Sequence, residues 1–267
     1  MSQAPTPRQY WQQRLEENWG LHGVGSLAYG RRYNAWLYRV RRHAFRQICA
    51  SLASDLDLHK ARVLDVGCGT GFYLEQWREQ GVASLTGLDF SSVALERLRP
   101  RFEGVELLNA DLGDEAPPLP PASFDIVSAF DVLFHIVDDT RYANALRNLH
   151  AALAPGGLLL YSDNFIRAGA RRHLDYWKSR SLADIEAALD QAGFELLTRK
   201  PVFVLMGSPV DSHVRGHARL FDLAMRLVQR SEAAGYALGA ALYPLELVLR
   251  RIVREGPSTE IAICRKR

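Results

Sequence analysis

Three glycines stand at every second position in the stretch VLDVGCGTG, which covers residues 63–71. They are Gly67, Gly69 and Gly71, and they follow an apolar run that is typical of a buried strand. A glycine turn after a strand commonly lets the backbone approach a nucleotide-like ligand. The spacing here is GxGxG, and Phe72 stands where a dinucleotide fingerprint has its third glycine. The loop also lacks the lysine of a Walker loop, so the pattern disfavours both ligand types without identifying the ligand.

Carboxylates follow the next two predicted strands. Asp89 ends the strand predicted at 84–89, where a carboxylate can accept hydrogen bonds from both hydroxyls of an adenosine ribose. Phe90 comes next and can pack against an adenine ring. Asp111 lies just past the strand predicted at 105–109, where it can accept from an exocyclic amine. Placement at successive strand ends indicates that these residues share one site for an adenosine ligand.

The elements that must position these residues alternate between strand and helix from residue 61 onward. Strands are predicted at 62–66, 84–89, 105–109, 124–130, 158–162 and 194–197, with a resumption at 202–205. Such alternation predicts an α/β fold with a parallel, doubly wound sheet, in which ligands lie beyond the carboxyl ends of the strands. Residues 207–256 interrupt the alternation, and Pro244 is expected to break or kink the second helix of this insertion.

The composition excludes several classes of function. The 267 residues carry a net charge of +3, with 48% hydrophobic and 24% charged residues, as in an ordinary globular protein without the basic excess of a nucleic-acid binder. Cys49, Cys68 and Cys264 form no CxxC pair, so we expect neither a zinc site nor disulfides. We find neither a signal-peptide pattern nor an apolar run long enough to cross a bilayer, and we expect a cytoplasmic protein.

The chain resembles the class I S-adenosylmethionine-dependent methyltransferases, and it looks closest to the branch that methylates small molecules. The similar stretches are VLDVGCGTG, LTGLDFS, NADLGD, FDIVSAFDVLFHIVDD and LAPGGLLLYSDN, in the order and spacing of the family. They cover about residues 60–200, and TEIAICRK fits the family's final strand. The resemblance implies a Rossmann-like, seven-stranded sheet whose last strand is antiparallel and inserted. It also implies four regions, which are an N-terminal helical cap (1–58), a cofactor-binding core (59–206), a helical lid insertion (207–258) and a final core strand (259–267).

The resemblance further implies which residues hold the S-adenosylmethionine cofactor. Asp65 and the glycine loop hold the methionine part, and Cys68 is a tolerated small residue of that loop rather than a nucleophile. Tyr29 or Tyr33 lies near the cofactor's carboxylate. The expected cofactor-binding residues are Tyr33, Asp65, Gly67, Cys68, Gly69, Gly71, Asp89, Phe90, Asp111, Leu112 and Phe130.

Methyl transfer to an alcohol requires a base, and His135 is the first candidate. It follows the fourth strand, and an ordinary imidazole pKa of about 6.5 suits proton abstraction at neutral pH. Asp163, after the fifth strand, is the second catalytic candidate. The alternatives are a histidine bonded to backbone and an Asp-Asn turn after a strand. Asp131, Asp163 and Asn164 also resemble the magnesium ligands of catechol-type O-methyltransferases, although we do not favour a divalent metal here.

The leading hypothesis is an enzyme that methylates a small molecule, on oxygen rather than nitrogen, such as a hydroxylated or glycosidic metabolite. Residues expected to line the acceptor site are Tyr29, Asn164, Tyr176, Trp177 and His213. The alternatives are an N-methyltransferase, a protein or RNA methyltransferase, a dinucleotide oxidoreductase, and a non-catalytic partner protein of the same fold. We expect no nucleic-acid partner and no contact with a membrane surface, because the insertion lacks a strongly cationic face before Arg250. A homodimer formed through the apolar insertion stays open.

Overall fold

The computed structural model describes residues 6–167 and 173–267. Within these ranges, seven strands form one mixed sheet and two short strands form a separate ribbon. The strands of the main sheet are β1 (Arg62–Val66), β2 (Ser84–Asp89), β3 (Glu106–Asn109), β4 (Phe124–Ala129), β5 (Leu153–Asp163), β8 (Phe194–Pro201) and β9 (Glu260–Lys266). The ribbon consists of β6 (His173–Leu174) and β7 (Trp177–Lys178).

The strand order in the sheet is β3-β2-β1-β4-β5-β9-β8. Neighbouring strands from β3 through β5 are parallel, whereas β9 runs antiparallel between β5 and β8. This arrangement confirms the predicted doubly wound, Rossmann-like fold with an inserted antiparallel last strand. The order of the chain reverses between β1 and β4, so the crevice beyond their carboxyl ends is the place where such sheets bind ligands.

Nine α-helices surround the sheet in the described ranges. They are α1 (Pro7–Glu17), α2 (Leu21–Val24), α3 (Gly30–Leu52), α4 (Phe72–Glu79), α5 (Ser92–Leu98), α6 (Asp139–Ala152), α7 (Leu182–Gln191), α8 (His217–Val228) and α9 (Glu232–Ile252). The side chain of Ser91 caps α5, and Ser181 with Asp184 forms the predicted capping box of α7. These caps fix where each helix begins after its strand or loop.

Apolar side chains cover both faces of the sheet. One cluster joins α3 and α4 to the sheet around the buried side chains of Phe45 and Trp77. A second cluster joins α6 and α7 to it around Leu146, Leu149 and Ile185. Because both faces are covered, the central strands are apolar along nearly their whole length.

The insertion between β8 and β9 forms the helical pair α8–α9, which packs on α3. A methyl group added to Gly239 of α9 would lie 2.3 Å from the Trp36 side chain, so only glycine allows this close approach. The helix α9 continues through Pro244 as far as Ile252, so the expectation of a break at this proline is wrong, while the alternative expectation of a kink stays a prediction. Packing of α9 on α3 holds the helix on both sides of the proline.

The strand β8 ends at Pro201, and the expected resumption of this strand at 202–205 is wrong. The reason is Glu246 of α9, whose buried carboxylate accepts hydrogen bonds of 2.5–2.8 Å from the backbone N–H groups of residues 204–206. Those amides are committed to a side chain and cannot pair with a neighbouring strand. The same contacts attach the insertion to the end of the sheet.

Candidate active site

A cavity opens beyond the carboxyl ends of β1, β2 and β4, at the reversal in strand order. It encloses about 970 Å³ of empty space, counting its open mouth. Eight of the expected cofactor-binding residues line it, which are Gly67, Cys68, Gly69, Asp89, Phe90, Asp111, Leu112 and Phe130. The fold therefore brings together most of the residues that were selected on sequence alone.

The glycine loop between β1 and α4 needs glycine for two separate reasons. Gly67, Gly69 and Gly71 have φ values of 66°, 51° and 82°, a backbone region that other residues rarely adopt. A methyl group on Gly67 would also lie 2.3 Å from the Val132 side chain, which follows β4. The loop can therefore bend back under the cavity and expose its backbone to a ligand.

Asp89 at the end of β2 holds this loop in place. One carboxylate oxygen accepts from the backbone N–H of Gly69 at 2.8 Å, and the other accepts from Ser91 N–H at 2.8 Å. Burial is the largest influence on Asp89 and raises its pKa, while the two N–H donors act in the opposite direction. Each carboxylate oxygen has a further lone pair, so Asp89 can both shape the loop and accept from a ligand hydroxyl.

Asp65 lies beneath the loop and does not line the cavity. Its carboxylate accepts a 2.6 Å hydrogen bond from the Ser128 hydroxyl, and Ser128 in turn accepts from the Trp77 indole N–H at 2.9 Å. All three side chains are buried. Burial raises the pKa of Asp65 to about 7, although the Ser128 hydrogen bond acts to lower it. The triad therefore joins β1, β4 and α4 directly under the loop.

At the far end of the cavity, Asp111 and Leu112 follow β3 as the sequence predicted. Asp111 forms an ion pair of 2.8 Å with Arg141 and accepts from the backbone N–H of Gly113. Leu112 is buried. Together with Phe90, these residues form a partly apolar slot with one anchored carboxylate, which suits the flat ring and exocyclic amine of an adenine.

Aromatic residues that the sequence analysis did not select form one wall of the cavity. Tyr73 stacks against Phe130 with ring centroids 4.2 Å apart, and Tyr38 contacts Phe72 edge-on at 4.7 Å. Tyr38 lies on α3, five residues after the expected Tyr33. The helical periodicity of α3 can indicate that Tyr33 and Tyr38 are on the buried side of the helix. It cannot indicate which of the two lies beside the glycine loop.

The structure places the two expected tyrosines away from the cavity. The Tyr33 hydroxyl donates to the backbone oxygen of Met206 at 3.0 Å, and its ring is fully buried against the insertion. Tyr29 packs edge-on against Phe221 of α8, with ring centroids 6.3 Å apart. Both residues therefore connect the N-terminal helices to the insertion, and Tyr38 occupies the position beside the loop.

Asp131, just after β4, is held by an ion pair that the sequence did not reveal. One of its carboxylate oxygens accepts from the Arg41 guanidinium at 2.9 and 2.6 Å, and the other accepts from the Ser162 hydroxyl at 2.9 Å. Its φ of 59° is unusual for a residue other than glycine. Asp131 lines the cavity, so the guanidinium of Arg41 neutralises a carboxylate at the edge of the site.

The suggested metal ligands do not form a cation site. Asp131 faces Arg41, and Asp163 accepts from the backbone N–H of Asn164 at 2.7 Å. Both Asp163 and Asn164 are buried at the end of β5 and neither lines the cavity. In residues 6–167 and 173–267, no three His, Cys, Asp or Glu side chains are grouped so that they could hold a metal ion.

Asp163 is enclosed with other polar groups on the α6 side of the sheet. Burial raises its pKa to about 7, so it is a weaker acid than an ordinary aspartate. One of its carboxylate oxygens has no hydrogen-bond partner among the described residues. Because it is sealed from the cavity, the structure separates Asp163 from the other catalytic candidate.

The helix α1, which lies in the region expected to form an N-terminal helical cap, covers the mouth of the cavity. Its Trp11 and Leu15 side chains line the cavity, and Tyr10 stacks on Tyr176 with ring centroids 4.5 Å apart. Gln12 accepts from the hydroxyl of Ser91 at 3.0 Å, which attaches the helix to the start of α5. Contacts on two sides of the cavity thus hold α1 as its apolar roof.

His135 lines the cavity beneath this roof. Its ring contacts Trp11 edge-on at 4.8 Å, and its Nδ1 lies 2.6 Å from the backbone oxygen of Tyr176. A carbonyl oxygen only accepts, so Nδ1 carries the hydrogen and Nε2 keeps a free lone pair. Burial lowers the pKa of His135 to about 4, so the ring is neutral at physiological pH.

The remaining acceptor candidates are dispersed. Tyr176 contributes its backbone oxygen to His135, and Trp177 contacts Phe134 edge-on at 6.3 Å, beside this segment. His213 is exposed and lies in a second, shallow groove at the start of α8. Of the acceptor candidates, Tyr176 thus contacts His135 of the main cavity directly.

Comparisons with known proteins agree with this geometry. Residues 63–157 match a family described as methyltransferase domain. Malonyl-[acyl-carrier protein] O-methyltransferase of Serratia marcescens is 35% identical over 118 residues, which are 44% of this chain and 43% of the relative. Ubiquinone biosynthesis O-methyltransferase of Neisseria meningitidis is 31% identical over 110 residues, which are 40% of this chain and 45% of the relative. The chain spans about half the length of the curated relatives that it matches.

The fold is also shared with solved structures. Magnesium protoporphyrin IX methyltransferase of Synechocystis, solved with bound S-adenosylmethionine, superposes with a TM-score of 0.59 at 15% identity and covers 100% of both chains. At this identity, the similarity establishes the architecture and not the acceptor. The bound cofactor of that protein occupies a fold of the same kind as the one described here.

Proposed function

We propose that this chain, whose core is a class I S-adenosylmethionine-dependent methyltransferase domain, transfers the methyl group of that cofactor to a hydroxyl oxygen of a small, apolar, phenol-like acceptor. One observation carries the proposal. The glycine loop, Asp89, Asp111 and His135 line a single cavity roofed by apolar side chains of α1. That cavity has one wall suited to an adenosine and one uncharged base opposite the loop.

The charges of the cavity suit a cationic cofactor and an uncharged acceptor. Its lining includes the carboxylates of Asp89, Asp111 and Asp131, and no lysine or arginine among the residues that the structure describes. Nearby carboxylates stabilise a sulfonium. For an anionic acceptor, no cationic side chain of the lining would offset the free-energy cost of removing the anion from water. The proposal therefore favours an uncharged acceptor over a carboxylate or a phosphate.

The bound cofactor supplies an electrophilic methyl group, and this chain's residues must position the acceptor and manage its proton. The side chains of Trp11, Leu15 and Val132 exclude water from the cavity, which favours an in-line attack by a positioned oxygen. His135 takes the hydroxyl proton at Nε2, and the backbone oxygen of Tyr176 holds the ring through Nδ1. The glycine loop, Asp89 and Asp111 would hold the cofactor, which would supply the methyl group to the acceptor oxygen and leave as the neutral thioether.

The lowered pKa of His135 restricts which hydroxyl can react. Moving a proton from a phenol, with a pKa of about 10, to a base with a pKa of about 4 is uphill by about 8 kcal/mol. For an aliphatic hydroxyl, with a pKa close to that of water, the same step is uphill by about 16 kcal/mol. A phenolic or enolic hydroxyl is therefore a better match for this site than the hydroxyl of a glycoside.

Oxygen methylation is further supported by the names of two relatives, which are O-methyltransferases. An N-methyltransferase is the main alternative, because a neutral amine needs no base and would make His135 dispensable. A non-catalytic protein of the same fold would bind the cofactor product and transfer no methyl group. Each alternative gives a different result in the same assay.

The test begins with binding of S-adenosylhomocysteine, measured by calorimetry. We expect the variant Asp89→Asn to bind about 10- to 100-fold more weakly than the wild type, because hydrogen bonds to a charged carboxylate are stronger than those to an amide. Asp55→Asn is the matched control, since Asp55 is exposed and does not line the cavity. Equal binding by the wild type and the Asp89 variant would contradict the assignment of the adenosine site.

The second stage uses cofactor carrying a labelled methyl group, offered with a set of phenols, a matched set of anilines and a set of glycosides. We expect label in the phenols, and a loss of about 10²- to 10⁴-fold in kcat for His135→Gln. His213→Gln is the control, because that histidine is exposed and outside the main cavity. Label only in anilines would replace the oxygen acceptor by nitrogen, and binding without transfer would indicate a non-catalytic protein.

A further inference from the structure

The insertion presents an unusual outer surface. On α9, the side chains of Tyr236, Leu245, Val248 and Ile252 are 49–69% exposed. This helix has no charged residue from Ala233 to Leu245, and its glycine side is already used in packing on α3. The outer face of α9 is therefore apolar and in contact with solvent, which is rare on such a scale for a helix that has no partner.

The preceding helix adds a second apolar row. Leu220, Leu223 and Leu227 of α8 are 69%, 63% and 50% exposed, and their spacing of three and four residues places them along one line of the helix. The opposite side of α8 is buried through Phe221 and Met225. Both sides of α8 are thus apolar, and the core accounts for only one of them.

The insertion that carries these exposed apolar side chains is also rich in arginine. The insertion, residues 207–258, contains seven arginines and five acidic residues, a net charge of +2 in a chain whose total is +3. Six of the arginines are exposed, which are Arg215, Arg219, Arg226, Arg230, Arg251 and Arg254. Three of the acidic residues are exposed, which are Asp222, Glu232 and Glu255; Glu232 accepts from the backbone N–H groups of Arg31 and Arg32, and Glu255 pairs with Arg167. The exposed surface of the insertion therefore carries a net positive charge.

The exposed apolar side chains together with the exposed arginines distinguish between two possible binding partners, which are a second copy of the chain and an anionic lipid surface. A second copy of the chain, related by a two-fold axis, would bring the same face against itself and place arginines near arginines. An anionic lipid surface accepts both features, because leucine and valine side chains enter the acyl boundary while arginines contact the phosphates. None of the helices in the described part of the chain is long and apolar enough to cross a bilayer. The exposed apolar face of α8 and α9 would therefore bind along the membrane surface without crossing the bilayer.

We propose that α8 and α9 dock this protein on the surface of anionic membranes. The sequence led us to expect no such contact, because its cations seemed to be confined to the end of the insertion. The structure changes that expectation, since Arg219 and Arg226 are exposed on the same helix as the exposed leucines. The inference concerns binding alone and does not depend on the methyl acceptor.

Vesicle flotation with the full chain tests the proposal. We expect the protein to float with vesicles of equal parts phosphatidylcholine and phosphatidylglycerol, and to stay behind with phosphatidylcholine alone. The variant Leu220→Ser/Leu223→Ser/Leu227→Ser should lose at least about tenfold in vesicle affinity, since three exposed apolar side chains no longer enter the lipid. Leu197→Ser changes an exposed leucine of β8 and should bind like the wild type.

A charge variant separates the two contributions. Arg219→Gln/Arg226→Gln should weaken binding to the anionic vesicles by about 10- to 30-fold. The control is Arg99→Gln/Arg265→Gln, which removes the same charge from exposed positions elsewhere. Circular dichroism melting shows that each variant is folded.

Three results would overturn the proposal. The first is no flotation of the wild type with anionic vesicles, and the second is equal binding by the triple-serine variant and its control. The third is a stable dimer in sedimentation velocity without lipid that the triple-serine variant abolishes, because the apolar face then belongs to a second copy. Binding of S-adenosylhomocysteine should be the same in all of these variants, so a failure here is distinguishable from a failure of the proposed activity.

Discussion

Replacement of Ser128 by alanine is predicted to destabilise the protein far more than the loss of one small hydroxyl suggests. Ser128 on β4 donates to Asp65 at 2.6 Å and accepts from the Trp77 indole at 2.9 Å, and all three side chains are buried. Alanine leaves an indole N–H and a carboxylate oxygen without this partner. The space vacated by one oxygen atom is too small for a water molecule.

The expected magnitude follows from these two groups. A buried polar group left unpaired costs about 1–3 kcal/mol, so the loss for Ser128→Ala should be about 2–5 kcal/mol. This is a large fraction of the 5–15 kcal/mol that is usual for the unfolding free energy of a domain. For a chain of this size, the melting temperature should fall by roughly 5–15 °C.

The pH dependence gives the prediction a second readout. Because the folded pKa of Asp65 is raised to about 7 from 3.8, the folded state holds its proton more tightly than the unfolded state. This group therefore contributes a loss of stability as pH rises from about 4 to about 7, and no further change above that. The Ser128 hydrogen bond limits that loss by favouring the ionised form, so Ser128→Ala should be more damaging at pH 8 than at pH 5.

Urea unfolding followed by tryptophan fluorescence measures both effects. Ser84→Ala is the control, because Ser84 is exposed on β2 and its replacement should change stability by less than about 0.5 kcal/mol. Trp77→Phe in the Ser128→Ala background removes the indole N–H that has lost its partner. The double variant should therefore lose less stability than the sum of the losses of the two single variants. A loss below about 1 kcal/mol for Ser128→Ala, equal at both pH values, would refute the reasoning.

Three further predictions concern the loop, the ion pair and the base. Gly71→Ala should lower the free energy of unfolding in urea more than Gly104→Ala does. Both glycines have a positive φ, but only a methyl group at Gly71 would lie 2.7 Å from neighbouring side chains. Equal losses would contradict the steric explanation. Arg41→Met leaves the largely buried Asp131 carboxylate without its guanidinium and should cost about 3–5 kcal/mol in urea unfolding at pH 7; a loss below about 1 kcal/mol would argue against an uncompensated charge. Burial lowers the pKa of His135 to about 4, so we expect kcat to show no inflection near pH 6.5 in methyl-transfer assays from pH 5.5 to 8. An inflection near pH 6.5 that is present in the wild type and absent from His135→Gln would contradict the lowered pKa.

The glycine loop shows how far local sequence can specify a site. Positive φ values at Gly67, Gly69 and Gly71 are required by a turn that closes within a few residues. Asp89 comes directly after a strand that must lie beside β1, so its approach to the loop follows from parallel pairing alone. These features were predictable because each depends on neighbours in the chain or in the sheet.

The acceptor side of the cavity depends on contacts between distant segments. Trp11 meets His135, and Arg41 meets Asp131, across about 90 or more residues of chain. No periodicity in α1 or α3 encodes which partner lies opposite, and for this reason Tyr38 rather than Tyr33 lies beside the loop. Similarly, Asp163 ends its strand as predicted, but its side chain is enclosed on the α6 side of the sheet and cannot reach the acceptor.

The sequence by itself determined the α/β class, the alternation of strands and helices in the core, the glycine turn after the first strand and the carboxylates at two strand ends. It could do so because strand alternation, helix caps and glycine turns are local properties of the chain. The tertiary structure alone decided that Trp11 and Leu15 of α1 line the cavity, that the insertion packs on α3 and exposes leucines and arginines on its other side, and that the His135 imidazole is buried and neutral. Burial and the pairing of remote charges arise only when the segments pack, and they set both the pKa values and the exposed surfaces.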